Sequence, residues 1–298
     1  MMPTPKVVCF GEVLWDCFPE GRKIGGAPLN VALGLKYHAF EVEMISAIGE
    51  DALGDELIAF LASQQLASHI QRNAYPTGTV AVSLDTQGVA QYTITGPVAW
   101  DAIEAGPKQL EVLANAQALV YGSLAAREEQ SFQSLLGIVA ATAFKIFDVN
   151  LRPPHYSIAR LKQLMVPADL IKFNEEEILE ISAALGSNST SLKTNMEFIA
   201  AHTQTPTICV TRGAEGAIVL HNNTWYTHGG YPVTVADTVG AGDAFLAAFV
   251  AGFLQTNTLQ KTLDHACVMG ALVASKEGAN PKITTAEIAA LKAEHNPQ

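Results

Sequence analysis

Six short apolar segments alternate with longer amphipathic segments along most of the chain, and this alternation limits the accessible folds more than any other feature. The strand candidates are Val7–Phe10, Glu43–Ala47, Ala118–Tyr121, Lys145–Asp148, Leu170–Phe173 and Thr207–Val210. Most of the segments between them have the apolar spacing of helices. Strands connected through helices pair in parallel, and a parallel sheet needs helices on both faces. The pattern predicts a three-layer α/β/α domain with a mainly parallel central sheet.

One region departs from this alternation. Thr79–Leu84 and Val89–Thr95 both alternate apolar and polar residues, and the turn-forming residues Asp85–Gly88 separate them, which predicts a β-hairpin. A two-stranded hairpin is not stable alone in water, so further strands must join it. Glu12–Cys17 and Arg22–Ile24 are the candidates. Together these segments predict a small β lid.

The composition allows a large core and argues against two kinds of partner. Of the 298 residues, 49% are hydrophobic, which suffices for one large α/β domain. The formal net charge is −11, so we expect no broad positive surface for a nucleic acid or a membrane. We predict a single domain over residues 1–298, with lid strands drawn from about 12–24 and 79–95.

The cysteines and the N-terminal residues favour a cytoplasmic location. The four cysteines are far apart among apolar neighbours, without the C-x-x-C spacing of a zinc site or a dithiol, and we interpret them as reduced core thiols. The first residues lack the basic and apolar stretches of a signal peptide. The longest apolar run, Ala244–Leu254, is shorter than the roughly 20 residues of a membrane span and is interpreted as a buried helix.

The segment just before this run carries the strongest chemical signal. It reads DTVGAGD, from Asp237 to Asp243. Gly240 and Gly242 allow a tight turn that brings successive N–H groups to a helix N-terminus, where an anion is favoured. Asp243 then falls beside the position of a phosphoryl group, where a base for an attacking hydroxyl is needed. A plain helix start, with an aspartate that favours the helix dipole, explains the short motif equally well.

Other segments decide between these two interpretations. No P-loop pattern G-x-x-x-x-G-K-[ST] occurs in the chain, so a nucleotide would need another kind of site. Four further motifs occur in the order Gly25–Asn30, Asn174–Glu177, Thr211–Gly216 and Gly278–Pro281. With DTVGAGDAF, they resemble the ribokinase-like (PfkB) carbohydrate kinase family over nearly the whole chain. The resemblance implies a ribokinase-like fold and ATP-dependent phosphorylation of a sugar hydroxyl.

The resemblance also implies roles for the residues of the DTVGAGD segment. Asp243 falls on the catalytic base of the family. The N–H groups of Gly240, Ala241 and Gly242 fall on its anion hole, which would stabilise charge developing on the γ-phosphoryl oxygens.

The same resemblance implies a nucleotide site. Thr211, Gly213 and Gly216 match a loop that lies along the nucleotide, and glycine suits a close approach of backbone to ligand. Gly278 and Asn280 match the loop near the adenine.

The resemblance also implies two metal sites, one for magnesium and one for a monovalent cation. Asn174 and Glu177 match the motif that organises the magnesium of MgATP through water, although a capped acidic helix is the alternative. The family also has a monovalent-cation site that draws on Asp237. Lys282 stands where ribokinase-like members have a serine, so we expect a weakened or replaced K⁺ site.

The acceptor site is implied by residues near the N-terminus. Asp16 matches the aspartate that binds sugar hydroxyls, and its two oxygens suit vicinal hydroxyls. Gly26 and Asn30 match the G-G-x-x-x-N motif, in which glycine lets the sugar approach the backbone. For Asn30 a simple helix cap is the alternative.

Two further residues complete the predicted acceptor site. Tyr92 lies on the hairpin strand, where it would cover the sugar or simply pack within the lid. Arg152 belongs to the D-x-N-x-R pattern of Asp148–Arg152, which resembles the fructokinase branch of the family. Ribokinase binds sugar with a glutamate in the region where this chain has Tyr121–Ser123, so fructose is favoured over ribose.

The sequence leaves other functions and an assembly open. A kinase for 2-keto-3-deoxygluconate or for a nucleoside uses the same phosphoryl-transfer parts. A pseudokinase that binds sugar or nucleotide without turnover is the alternative from a different class, and the presence of Asp243 and both glycines argues against it. The free edges of the lid strands predict a homodimer through the lid.

Overall fold

The computed structural model describes residues 5–84 and 90–295. These residues form the strands β1 (Lys6–Phe10), β2 (Leu14–Phe18), β3 (Gly21–Gly25), β4 (Glu41–Gly49), β5 (Ala67–Asn73), β6 (Thr79–Leu84), β7 (Ala90–Ile94), β8 (Ala118–Gly122), β9 (Lys145–Asp148), β10 (Leu170–Asn174), β11 (Thr207–Thr211), β12 (Ala217–His221) and β13 (Thr224–His228). They also form the helices α1 (Ala27–Tyr37), α2 (Ala52–Ser63), α3 (Pro107–Leu113), α4 (Glu129–Ala140), α5 (Ile158–Met165), α6 (Glu175–Ala184), α7 (Leu192–Thr203), α8 (Ala241–Leu254), α9 (Leu259–Ala274) and α10 (Thr285–His295).

Nine of these strands form the central sheet, in the order β13-β12-β11-β10-β9-β8-β1-β4-β5. The strands from β11 to β5 in that order pair in parallel, and β12 and β13 extend one edge in antiparallel pairing. All six strand candidates from the sequence lie in the parallel part, so the prediction of a mainly parallel sheet is confirmed. The sequence analysis missed β5, β12 and β13.

Helices cover both faces of the sheet, as predicted. Side chains alternate along each strand, so Val7 and Cys9 of β1 pack against one helical layer while Val8 and Phe10 pack against the other. The first layer contains α1, α2, α8, α9 and α10, and the second contains α3 to α7. The apolar run Ala244–Leu254 forms most of α8, whose residues from Phe245 to Gly252 are buried. The predicted buried helix is therefore confirmed.

The lid is a separate sheet of four strands in the order β3-β2-β6-β7. β2 pairs antiparallel with β3, β6 pairs antiparallel with β7, and β2 and β6 pair in parallel. The four strands come from the predicted segments, although β2 begins only at Leu14, and Glu12 and Val13 are buried residues that precede it. The predicted turn Asp85–Gly88 lies outside the described residues.

The cysteines and the apolar length of the helices complete the description of the fold. The cysteines Cys9, Cys17, Cys209 and Cys267 are all free, and only Cys17 is not buried. Within residues 5–84 and 90–295, no helix is long and apolar enough to cross a membrane.

A buried ion pair fixes the segment that leaves the lid. Arg127 donates to both carboxylate oxygens of Asp101, each at 2.7 Å, and lies 4.2 Å above the ring of Trp100. It also donates to the carbonyl oxygen of Thr95, just after β7. The side chains of Arg127 and Asp101 are only 5% and 4% exposed. Removing either partner would leave a buried charge without its counter-ion.

We therefore expect Arg127→Met to lower the free energy of unfolding by about 3–5 kcal/mol. The matched control is Asp55→Asn, which breaks the exposed pair between Arg72 and Asp55 and should cost less than about 1 kcal/mol. Chemical denaturation of the two variants and the wild type measures the difference. Equal losses in both variants would show that the Arg127–Asp101 pair contributes no more than a surface pair.

Candidate active site

The polar residues singled out in the sequence gather at one edge of the central sheet. Parallel strands end at the same edge, and the segments that follow β1, β8, β9, β10 and β11 all begin there. The N-termini of α1 and α8 face the same region, since side chains from both helices meet. In open α/β sheets this edge is where ligands bind.

Asn30 holds two distant motifs together at this edge. Its Nδ2 donates to Oδ2 of Asp243 at 2.8 Å, and its Oδ1 accepts from Nδ2 of Asn280 at 2.7 Å. Asn30 is buried in the first turns of α1, so it is not the helix cap considered as an alternative; Gly26 is the N-cap. The amide thereby orients one oxygen of Asp243, and three separate motifs converge on a single hydrogen-bond chain.

The glycines before α8 let two loops approach closely. Gly240 is the N-cap of α8 with φ of 78°, and a Cβ there would lie 2.5 Å from both Cα and O of Ala279. Any larger residue at 240 would therefore push against backbone. The N–H of Ala241 donates to the carbonyl oxygen of Thr238 at 3.2 Å. The N–H of Gly242 lies in the first turn of α8, where no intrahelical acceptor exists, so it is free to bind an anion.

The environment of Asp243 favours its neutral form. Burial and the nearby negative charge of Asp148 raise the pKa of Asp243 from its ordinary value of 3.8 to about 6, while Asn30, Lys172 and Arg152 act in the opposite direction. A carboxyl group with this pKa is ionised at neutral pH and close enough to it to accept a proton readily. This is the behaviour required of a general base.

A buried ion pair that the sequence analysis overlooked lies behind Asp243. Lys172 of β10 donates to Oδ1 of Asp148 on the neighbouring strand β9 at 2.8 Å, and both residues are buried. Oδ2 of Asp148 is also buried and has no hydrogen-bond partner among the described residues. A Cβ on Gly242 would lie 3.6 Å from Nζ of Lys172, so the ammonium lies next to the first turn of α8.

Asn174 and Glu177 form a capping box at the start of α6. The side chain of Asn174 accepts from the N–H of Glu177, and Oε2 of Glu177 accepts from the N–H of Asn174, each at 2.8 Å. Oε1 of Glu177 accepts from the N–H of Leu151 at 2.8 Å. The capped acidic helix, the alternative interpretation of this motif, is thus present. Each oxygen of Glu177 still has a lone pair for a water molecule, so the magnesium role remains a prediction.

Two of the predicted acceptor residues, Asp16 and Gly26, lie close together where β2 and β3 of the lid meet the start of α1, which is here called the acceptor region. Asp16 is half-buried on β2, and burial raises its pKa while Arg152 lowers it. A Cβ on Gly25 would lie 2.3 Å from Oδ2 of Asp16, so this carboxylate faces the start of the G-G-x-x-x-N motif. Gly26 has φ of 116°, and a Cβ there would meet the carbonyl oxygen of Glu12 at 2.4 Å. The positive φ and the close contact with the carbonyl oxygen both require glycine at position 26.

Charges of both signs act on one another around this acceptor region. Arg152 is exposed and acts electrostatically on Glu12, Asp16 and Asp243. It forms no ion pair with any of them among the described residues. Burial raises the pKa of Glu12 to about 7, and one of its oxygens has no hydrogen-bond partner within the described part of the chain. A cation beside unpaired carboxyl groups suits a ligand rich in hydroxyls, which can donate to the carboxylates and accept from the guanidinium.

The residues predicted to contact a nucleotide lie after β11 and near α8. Thr211 ends β11, and Gly213 and Gly216 follow with φ of 55° and 77°. The carboxylate of Asp237 links two of the loops, because it accepts from the N–H groups of Val239 and Gly278, each at 3.0 Å. The nucleotide contacts themselves remain predictions.

Tyr92 belongs to β7, opposite Val82 of β6. Its side chain lies outside the described part of the structure, so its predicted role in covering the acceptor remains a prediction.

Comparison with known proteins gives a consistent result. The family described as pfkB family carbohydrate kinase matches residues 4–286. Fructokinase from Salmonella typhimurium is 30% identical, over 92% of this chain and 94% of that protein. Fructokinase from Escherichia coli is 29% identical, over 93% of this chain and 95% of that protein.

A solved structure agrees with the sequence relatives. A variant of fructokinase from Vibrio cholerae O395, in a form bound to fructose, ADP and potassium ion, has a TM-score of 0.81 and 25% identity. The match covers 97% of this chain and 98% of that one. The predicted ribokinase-like fold is confirmed.

We expect Asp243→Asn to stabilise the protein more at pH 7.5 than at pH 4.5. The pKa of Asp243 is raised in the folded state to about 6, so its ionisation destabilises the wild type as the pH rises through that range. An asparagine does not ionise. The difference in melting temperature, variant minus wild type, should therefore grow between pH 4.5 and 7.5.

Asp51→Asn is the matched control. Burial works against ionisation of Asp51, but hydrogen bonds from Thr77 and Gly54 outweigh it and lower its pKa. Its charge thus stabilises the fold above its unfolded pKa, and the substitution should destabilise at pH 7.5. If Asp243→Asn instead destabilises the protein increasingly as the pH rises, the buried environment of Asp243 is wrongly described.

Proposed function

The chain belongs to the pfkB family of carbohydrate kinases, and on that premise we propose that it transfers the γ-phosphoryl group of ATP to a hydroxyl of fructose. The observation that carries this proposal is the position of Asp243. Its carboxylate is oriented by Asn30 and lies in the first turn of α8, beside a glycine-rich loop that suits a phosphoryl group.

The proposed reaction uses these groups in a fixed order. Asp243 accepts the proton of the acceptor hydroxyl while the hydroxyl oxygen forms a bond to the γ-phosphorus. The bond between that phosphorus and the oxygen bridging to the β-phosphate breaks, and ADP leaves with the electron pair. The N–H of Gly242, with those of Gly240 and Ala241, would stabilise the charge on the transferred group. For the N–H of Ala241 to take part, its hydrogen bond to the carbonyl oxygen of Thr238 would have to break.

The negative charges of Asp16 and Asp243 favour a neutral acceptor. Asp16 and Asp243 would repel a carboxylate or a phosphate placed beside them, in a site that the lid closes from water. The nearby cations are Arg22, Lys23 and Arg152, and Arg22 already pairs with Glu56. Arg152 is the serious candidate to bind an acidic acceptor, because its planar guanidinium suits a carboxylate in a bidentate way. A kinase for 2-keto-3-deoxygluconate therefore remains the second candidate. Fructokinase relatives at about 30% identity favour fructose.

The residues present fit a magnesium ion held through water. Mg²⁺ keeps much of its hydration shell, and the oxygens of Glu177, each with one backbone hydrogen bond, could accept from such waters. Asn174 and Glu177 would thus hold the ion, which when bound neutralises charge on the β- and γ-phosphates.

Asp237 would contribute to a monovalent-cation site, and we propose that this site is weakened or replaced. Both oxygens of Asp237 already accept backbone N–H groups. The exposed Lys282 brings a positive charge to the same loop region. The structure of the Vibrio cholerae relative contains a bound potassium ion. Measuring the activity of each protein with K⁺ and with an inert organic cation tests whether K⁺ activates this protein less than that relative.

We further propose a homodimer formed through the lid and a cytoplasmic location. The lid sheet ends in β3 and β7, whose outer edges have no strand partner among the described residues. The free cysteines support a reducing compartment.

We expect Asp243→Asn to reduce kcat for fructose by at least about 100-fold while changing the Kd for fructose by only a few-fold, since the amide keeps its shape but cannot accept the proton. Steady-state kinetics and calorimetry measure the two quantities. Near-wild-type turnover would exclude Asp243 as the base. If the wild type binds fructose and ATP without forming ADP, the chain is a pseudokinase.

The acceptor is tested by kcat/KM for fructose, ribose, 2-keto-3-deoxygluconate and adenosine at saturating MgATP. We expect fructose to lead, because it carries no charge that Asp16 would repel. Arg152→Ala is the informative variant, since it removes the guanidinium that best suits an acidic acceptor. If 2-keto-3-deoxygluconate leads and Arg152→Ala removes its advantage, the acceptor is a sugar acid while the kinase assignment stands.

A further inference from the structure

Lys172 is a buried charge in the middle of an apolar strand. Its neighbours on β10 are Leu170, Ile171 and Phe173, and it is 6% exposed. Burying an ammonium group is unfavourable unless a counter-ion and hydrogen bonds compensate for the lost hydration. An apolar residue would fill the same position in a plain core, so the lysine calls for an explanation beyond packing.

Asp148 is the counter-ion of Lys172, and the pair leaves one carboxylate oxygen of Asp148 without a partner among the described residues. Nζ of Lys172 donates to Oδ1 of Asp148 at 2.8 Å, and the other oxygen of Asp148 is buried without a hydrogen-bond partner in the described residues. Asp148 is the last residue of β9 and lies level with Lys172 in the parallel register of β9 and β10. The negative charge of Asp148 therefore acts on whatever lies nearby in a medium that screens it poorly.

Asp243 is the group on which this charge acts. The side chain of Lys172 reaches the first turn of α8, within 3.6 Å of a Cβ placed on Gly242, the residue before Asp243. Asp148 disfavours the ionised form of Asp243, and Lys172 favours it. The base and the ion pair thus lie in one cluster at the sheet edge.

Other groups face Asp243 from the surrounding elements. Asn30 on α1 donates to it, and Arg152 after β9 favours its charged form. Glu12 after β1, whose pKa burial raises to about 7, is a second carboxyl group that interacts with it. Arg152 is exposed to solvent, whereas Lys172 is buried. Of these two cations, Lys172 is therefore the one whose charge is screened less by water.

We propose that Lys172 is a positioning residue for phosphoryl transfer: by pairing with Asp148 behind the first turn of α8, it keeps Asp243 ionised and able to accept the proton of the acceptor hydroxyl. This inference rests on the proposed function, in which Asp243 is the base. A purely structural role for the ion pair would alter stability without altering the titration of Asp243.

The test compares the pH dependence of kcat/KM for fructose in variants of the two partners. Lys172→Met leaves the charge of Asp148 uncompensated, so the acidic limb should move up by about one pH unit or more. Activity would then fall by about fivefold or more near pH 6 and far less near pH 8.5. Asp148→Asn removes the repelling charge, so the same limb should move to lower pH.

Two further variants separate charge from structure. Lys172→Arg keeps the positive charge and should leave the acidic limb close to that of the wild type. The double variant Lys172→Met/Asp148→Asn removes both charges together and should return the limb towards the wild-type position. Glu12 and Arg152 are present in every protein, so differences among the variants report the ion pair. If Lys172→Met does not fold, the opposite shift expected of Asp148→Asn still tests the proposal.

A measurement without turnover keeps the inference separate from the proposed function. The carboxyl carbon of Asp243 can be followed by NMR in protein labelled with ¹³C-aspartate, with its signal assigned by its loss in Asp243→Asn. We expect its titration to move up in Lys172→Met and down in Asp148→Asn. If the wild type does not phosphorylate fructose but these shifts occur, the proposed function fails and the coupling stands. Unchanged titration in both variants, or equal loss of activity at every pH, overturns the inference.

Discussion

The hydrogen bonds of Asn30 are the constraint on which the site depends. One amide connects Asp243 on α8 with Asn280 in the loop beyond α9, although these residues are far from Asn30 in sequence. Because an amide has a donor and an acceptor at fixed geometry, both partners must be present for either to be well oriented. The close contact of Gly240 with Ala279 serves the same purpose, since it brings the two loops together at the start of α8. Together, these contacts hold the carboxylate of Asp243 in a fixed position at the start of α8.

The second constraint is the cost of collecting charges in a buried place. Asp148, Lys172 and Glu177 are all largely buried at the carboxyl ends of β9 and β10. Each is compensated locally: the first two by an ion pair, and Glu177 by two backbone N–H groups. The carboxylate of Asp243 accepts from the amide of Asn30, and burial together with the charge of Asp148 raises its pKa. An incompletely compensated carboxylate is less stable when ionised and for that reason a better proton acceptor.

The sequence predicted the layers of the fold well and the details of the site only in part. Alternating patterns placed the parallel strands, because helical connections leave few other arrangements. The edge hairpin of β12 and β13 was missed, although its turn residues Asn222 and Asn223 have positive φ and are typical of such turns. Asn30 was singled out by its motif, but its two partners could not be deduced, since they depend on contacts between distant segments. The lysine inside the apolar strand Leu170–Asn174 was the available signal for the buried pair.

The central claim is that the protein transfers a phosphoryl group from ATP to a sugar hydroxyl rather than to water, with Asp243 as the base. Phosphorus NMR of a single reaction with fructose, ATP and Mg²⁺ tests it most directly, because ADP, a sugar phosphate ester and inorganic phosphate give separate signals. The account predicts that every ADP formed is matched by one sugar phosphate ester, with little inorganic phosphate. ADP matched by inorganic phosphate, with no ester, would contradict it.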